Sequence, residues 1–159
     1  YSSQEYIDII DKTREYKQDI AISGDFIVGF PGETDDDFEA TLDIVKRVKY
    51  AHAYSFKYSP RPGTPAALKD HQIDEEIKSE RLKTLQDLIK QQTRDFNSSF
   101  LEKEINVLIE KQGLGVNRLT GRSSYLQSVH MDGDPSFIGE IVKAKIIKTR
   151  DNSLEGIIL

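Results

Sequence analysis

The stretch Asp25-Phe26-Ile27-Val28-Gly29-Phe30-Pro31-Gly32-Glu33-Thr34, followed by Asp35-Asp36-Asp37 and Phe38, decides how the first part of this 159-residue chain folds. Phe26, Ile27 and Val28 form an unbroken apolar run, the pattern of a strand buried on both faces. Gly29, Pro31 and Gly32 end the run and let the backbone pass close to a neighbour or a ligand. Thr34 and Asp37 stand at capping-box spacing, and the three aspartates fill a first helical turn, where the helix dipole favours negative charge. The stretch therefore reads strand, tight glycine turn, helix. In α/β folds such a turn lies at the carboxyl end of a strand, the edge at which ligands bind. Spacing alone is equally well served by an ordinary βα-loop, and Glu33 with three aspartates argues against a phosphate cradle.

Working outward, Ser2 and Glu5 fit a second capping box, and Tyr6, Ile9, Ile10, Thr13 and Tyr16 continue at helical spacing, so residues 3–17 read as an amphipathic helix. A chain that opens abruptly on a helix cap reads as a fragment. Strand follows over 20–30 and helix over 35–49, with Phe38, Leu42, Val45 and Val48 on one face. A further strand spans 53–58, placing Tyr54, Phe56 and Tyr58 on one side and Ser55 and Lys57 on the other. Three prolines make Ser59–Pro65 a stiff loop on the same edge as Gly29–Glu33. Asp74 opens a long helix whose charged positions, Glu75, Lys78, Glu80 and Lys83 among them, read as a solvated face. Helix, strand, helix, strand is the pattern of βα-units, and two strands alone cannot close a barrel.

Asn97-Ser98-Ser99 reads as the boundary, with the helix able to run on to Phe100 or Leu101, and from there the period changes to two. Ile105, Val107 and Ile109 alternate, and segments 116–120, 125–131, 140–148 and 154–159 read as further short strands punctuated by Gly113, Gly115, Asp132-Gly133, Gly139 and Asp151-Asn152. Five strands in so short a segment suggest a small closed β-barrel. The fold class is thus α/β over residues 1–96 followed by all-β over 97–159.

Composition narrows the functions. There is no cysteine, hence no disulfide, thiol chemistry or cysteine-held metal. No apolar run reaches membrane-spanning length and no signal peptide is visible, which suits a cytoplasmic protein without a membrane partner. His52, His71 and His130 have no acidic neighbour at metal-ligand spacing, and no serine sits in a nucleophile elbow, so neither a metal site nor a catalytic residue is assigned. Net charge is −5, but residues 1–96 carry 14 basic against 19 acidic side chains and residues 97–159 carry 8 against 8. The second part is the one better suited to touch RNA. There Lys143 and Lys145 alternate outward against inward Val142, Ala144 and Ile146, with Arg118 and Arg122 on adjoining strands. These cations read either as solubility residues or as a phosphate-tracking face, with Tyr125, His130 or Phe137 available to stack on bases.

Asp25 to Thr34, with Phe26 at the variable place, resembles a late barrel-strand motif of the radical S-adenosylmethionine methylthiotransferases. Tyr54-Ser55-Phe56-Lys57-Tyr58-Ser59-Pro60-Arg61-Pro62-Gly63-Thr64-Pro65-Ala66 resembles the next strand and loop of that family. Gly121-Arg122-Ser123, Tyr125 to His130 and Phe137-Ile138-Gly139 resemble the TRAM domain that ends its members. The resemblance covers essentially the whole chain and is greatest to the tRNA-modifying branch. It implies the last βα-units of a radical SAM (partial TIM-like) barrel with a long connecting helix over 1–96, then a five-stranded OB-like TRAM β-barrel that binds RNA over 97–159. It implies addition of a methylthio group to carbon 2 of isopentenylated adenosine beside the anticodon, with the tRNA anticodon stem-loop as partner and no protein partner inferred. Relatives that act on threonylcarbamoyl-adenosine or on a ribosomal-protein aspartate are the alternatives within the superfamily, and a non-catalytic RNA-binding module is the alternative outside it. Family members hold S-adenosylmethionine and two 4Fe-4S clusters, one on a Cys-x-x-x-Cys-x-x-Cys loop. With no cysteine, this stretch is expected to bind no cluster and to be inactive alone. The carry-over places Val28, Gly29, Phe30, Pro31 and Gly32 on the adenine side of the cofactor and Tyr58, Ser59 and Arg61 at the same rim. RNA contacts would fall to Arg118, Arg122, Tyr125, Lys143 and Lys145.

Overall fold

Ser2 and Glu5 do form a capping box: the Glu5 N–H donates to Ser2 Oγ at 3.3 Å and the Ser2 N–H donates to the Glu5 carboxylate at 2.6 Å. They start helix α1, Ser3–Tyr16, in a computed structural model that describes residues 2–159. Strand β1, Ser23–Val28, runs into the glycine turn, and the Thr34–Asp37 box starts helix α2, Asp35–Val48. Strand β2, His52–Lys57, pairs parallel with β1 from Ser23↔His52 to Val28↔Lys57. Helix α3 spans Glu75–Ser98. The chain divides into two units, residues up to Gln92 and residues 93–159.

In the first unit Val28, Phe38, Val45, Val48 and Leu85 form the core, with Tyr50 sealed beneath Phe26 in an edge-to-face contact at 5.3 Å. Gln92 ties α3 to the end of α2: it accepts from the Tyr50 N–H at 2.9 Å and donates to the Val45 carbonyl at 2.7 Å. The expectation that Phe26-Ile27-Val28 is buried on both faces does not hold. Val28 is buried, whereas Ile27, Tyr54 and Phe56 are 60%, 59% and 56% exposed. The helices cover the face carrying Phe26, Val28, Ala53 and Ser55, so the aromatic side of β2 is the open one. An apolar run cannot tell which of its faces a neighbour will cover.

In the second unit β3 (Glu104–Gln112), β4 (Arg118–Ser123), β5 (Ser128–Asp132), β6 (Ile141–Thr149) and β7 (Ser153–Ile158) close a barrel in the order β3-β4-β5-β7-β6. All pairs are antiparallel except β5 with β7. This is a five-stranded Greek-key barrel of the OB type. Val107, Leu119, Met131, Ile146 and Leu154 fill its interior. Gly121 is required there, because a Cβ would lie 2.5 Å from the Leu108 carbonyl oxygen and 2.6 Å from Val107 Cγ1.

Asn97, in the stretch read as the boundary, lies inside α3, is buried, and donates to the Arg150 and Asp151 carbonyls, both at 3.1 Å. It also accepts from Gln127 Nε2 at 2.8 Å, and Gln127 Oε1 accepts from Ser123 Oγ at 3.0 Å. One amide thus holds two loops of the barrel, and every member of the network has a partner, as a buried polar group requires. The third strand begins at Ser128, not at Tyr125, because Leu126 sits at φ 64 in a tight turn.

Candidate functional site

Because β1 and β2 are parallel, their carboxyl ends bring Gly29–Glu33 and Tyr58–Pro65 to one edge of the first unit. The Tyr58 N–H donates to the Val28 carbonyl at 2.8 Å, and the Phe30 and Tyr58 rings meet edge to face at 5.2 Å. Val28 is in the core and Gly29 and Pro31 are buried, while Phe30, Gly32, Ser59 and Arg61 are exposed. Gly29 has φ +72 and packs against the stem of Lys78, so closely that a Cβ would collide with it. The Tyr58 hydroxyl is buried and makes no hydrogen bond within the described residues.

The turn is fastened by Arg81. This residue, only 7% exposed, donates from its guanidinium to the Glu33 carboxylate at 2.7 Å, to the Glu33 carbonyl at 3.2 Å and to Asp35 at 2.6 Å, and the guanidinium lies 5.6 Å from the Phe38 ring centre. Glu33 in turn accepts from the Gly29 N–H at 3.0 Å. Burial alone would lower the guanidinium's pKa, but hydrogen bonds to Asp35 and Glu33 and their charges outweigh it and hold the pKa above the ordinary arginine value. Glu33 is thus tied into the fold by a buried arginine that it shares with Asp35. Lys78, read from the sequence as part of a solvated face, is also buried. The signal was present in the spacing: Lys78, Arg81, Leu85, Ile89 and Gln92 recur at three- and four-residue steps, so the two cations share the stripe of the buried leucine and isoleucine. Lys57 pairs with Glu75 and holds that carboxyl below the usual range.

On the barrel, alternation places Lys143 and Lys145 outward as expected, with Val142, Ala144 and Ile146 buried. Each amine already has a carboxylate: Lys143 meets Glu104 at 2.9 Å, and Lys145 meets Glu102 at 2.7 Å, which raises the Lys145 pKa. Arg122 pairs with Glu110 at 3.0 Å and Arg118 with Asp132 at 2.9 Å. Tyr125 is half-buried, tilted against Phe100 at 5.0 Å and edge-on to Phe96 at 6.0 Å, so its ring belongs to the core margin more than to a stacking platform. Among the described residues, no group of three histidine, aspartate or glutamate side chains could hold a metal ion.

The family model of the TRAM domain matches residues 99–159, the segment that forms the closed five-stranded barrel. Over nearly its whole length the chain is also similar to curated proteins named tRNA-2-methylthio-N(6)-dimethylallyladenosine synthase. The relative from Maricaulis maris is 53% identical over 98% of this chain and 34% of its own length. Those from Wolbachia pipientis of Culex pipiens and from Rickettsia rickettsii are each 51% identical, over 98% and 97% of this chain and 36% and 35% of their own lengths. The chain spans about a third of the length of the curated relatives it matches.

Proposed function

We propose that the chain is the part of a tRNA methylthiotransferase that walls one side of the S-adenosylmethionine site and grips the tRNA. The observation that carries this is the single edge on which Gly29–Glu33 and Tyr58–Pro65 meet, in a chain that also bears a TRAM domain. The first unit is then the end of a radical SAM barrel, and the second unit, taken as residues 97–159, is the RNA-binding domain. The relatives' names favour carbon 2 of dimethylallyl-adenosine as the target over threonylcarbamoyl-adenosine or a ribosomal-protein aspartate.

The rim fits an adenine-bearing cofactor: Phe30 offers an exposed ring, Gly32 is exposed, and the buried Tyr58 hydroxyl lacks a partner among the described residues. When bound, S-adenosylmethionine supplies the methyl group and the radical. In that setting Phe30 packs the adenine, Arg81 and Glu33 keep the turn from moving, and Tyr58, Ser59 and Arg61 orient polar groups at the rim. The iron–sulfur clusters do not fit this stretch, which has no cysteine, and the reading assigns them to the portion of the relatives that lies outside the match. On the barrel, Arg118, Arg122, Lys143 and Lys145 contact phosphates, fixing the register of the tRNA anticodon stem-loop without reading its sequence. The site of action is the cytoplasm, and among the described residues no helix is long and apolar enough to cross a membrane.

The test is a chimera in which this chain replaces the matching third of the Rickettsia rickettsii relative. Nucleoside mass spectrometry of tRNA from cells lacking their own enzyme should show methylthiolated dimethylallyl-adenosine. A folded, cluster-loaded chimera that leaves the nucleoside unmodified refutes the assignment.

A further inference from the structure

The sheet register draws one row across the outer wall of the barrel. Lys111 on β3 pairs with Thr120 on β4, Thr120 with His130 on β5, His130 with Glu155 on β7, and Glu155 with Lys148 on β6. The residues beside this row, such as Leu119, Met131 and Ile146, point inward and are buried, so the row itself faces out. Two arginines converge on its centre. Arg118 lies 3.8 Å from Glu155, and Arg150, in the β6–β7 turn, donates to the same carboxylate from Nε at 2.8 Å. Glu155 is accordingly held below the usual carboxylate range, first by the Arg150 hydrogen bond and then by the charges of Arg150, Lys148 and Arg118. Arg150 and Lys148 are thus grouped about this one carboxylate, with Arg118 reaching it from its nearer partner Asp132 at 2.9 Å. Lys143 and Lys145, by contrast, each have a carboxylate of their own.

His130 is fixed as well. Its Nδ1 lies 3.1 Å from Thr120 Oγ1, which sets the plane of a half-buried ring. A ring already oriented loses little freedom when a base stacks on it. In OB-type barrels the face of the second and third strands, with the first-to-second and fourth-to-fifth loops, is the one that receives oligonucleotides. Here those are β4, β5, the loop of residues 113–117 and the turn that carries Arg150.

We infer that this row is the docking face for an unpaired RNA segment: a phosphate takes the place of Glu155 between Arg118, Lys148 and Arg150, and His130 stacks on the neighbouring base. The inference rests on the proposal that the barrel binds RNA and says which surface does so. Glu155 then acts as a resident competitor, occupying the cationic cluster until phosphate displaces it.

Fluorescence anisotropy with the whole chain, a labelled single-stranded oligoadenylate and a stem-loop RNA tests it. E155Q removes the competing charge and keeps the side-chain shape, so affinity at low salt should rise about fivefold. K148E/R150E should weaken binding at least tenfold and flatten the salt slope by roughly 1.4, at about 0.7 per lost phosphate contact on a single strand. H130A should cost about tenfold for the oligoadenylate and much less for duplex RNA, with an unchanged melting temperature. K143E/K145E should have the smaller effect. If E155Q and K148E/R150E bind as the parent does while K143E/K145E abolishes binding, the face is wrong and RNA binding stands. If the parent chain binds neither RNA at low salt, the RNA reading itself fails, and this inference with it.

Discussion

Replacing Arg81 by methionine should unfasten the ligand-side turn. The substitution keeps a linear apolar stem against Phe38 and removes only the charge and its donors. Breaking a buried ion pair by deleting one partner costs about 3–5 kcal/mol, because the other charge is left uncompensated. Two features of this site reduce that figure. Asp35 is 94% exposed, so its arm of the pair is worth about 0–1 kcal/mol. Glu33 keeps the Gly29 N–H at 3.0 Å and is not sealed completely, with a side chain 13% exposed. A net loss of about 2–4 kcal/mol follows, a large fraction of the roughly 5–15 kcal/mol that holds a domain together. Urea unfolding followed by far-ultraviolet circular dichroism reads the first unit, which contains α1, α2 and most of α3. The decisive arm is a double-mutant cycle with E33Q: the R81M/E33Q chain should be more stable than the sum of the two single losses implies, by about 1 kcal/mol or more. A coupling indistinguishable from zero, or an R81M loss under about 0.5 kcal/mol, would refute the claim that Glu33 is in the turn for Arg81.

Anaerobic reconstitution of the isolated chain with iron and sulfide should leave it colourless, since soft iron sites need thiolates and the sequence has none; a stoichiometric visible chromophore contradicts this. Asp37 is held below its ordinary pKa by the Thr34 N–H and hydroxyl, so its folded pKa lies under the unfolded one. Its contribution is complete above the unfolded value and lost as pH falls through the folded one, so D37N should flatten the acid limb of a stability–pH curve and lower the plateau. Gly121→Ala should destabilise the barrel by about 1–3 kcal/mol through overpacking against Leu108 and Val107, seen as a lower melting temperature of the second unit by hydrogen exchange.

What the sequence disclosed was local. The Thr34–Asp37 box, the turn at Gly29 and Gly32 and the outward set of Lys143 and Lys145 depend on residues within one turn or two strand positions, and each stands where the pattern puts it. What it withheld was partnership across distance. Arg81 and Glu33 are 48 positions apart, so nothing in either neighbourhood shows that a helix-face cation answers a turn carboxylate. Asn97 read as a boundary residue because Asn-Ser-Ser is loop-rich in composition, and nothing near it shows that its partners Arg150 and Gln127 lie on loops much further along the chain. The neutralisation of Lys143 by Glu104 and of Lys145 by Glu102 depends on how β6 and β3 come together, and that register is not written in either strand alone.

The inversion of faces in β2 leaves an apolar surface open. Alternation separates Tyr54 and Phe56 from Ala53 and Ser55, and burial of large side chains, worth about 1.5–3 kcal/mol each, would ordinarily put the aromatic side under the helices. The structure does the reverse: the small side packs inward and Ile27, Tyr54 and Phe56 stand outside. Small residues let helices approach the strands closely, and Phe26 and Val28 on β1 supply the inward bulk instead. The outward aromatic side adjoins the edge where Gly29–Glu33 and Tyr58–Pro65 meet. Large apolar side chains left uncovered by their own unit mark a surface that a partner can cover. The barrel, closed and so without free strand edges, carries on its outer wall exposed Leu108, Ile141 and Ile157 beside its paired cations, so apolar and charged surface are interleaved there rather than gathered on one open side.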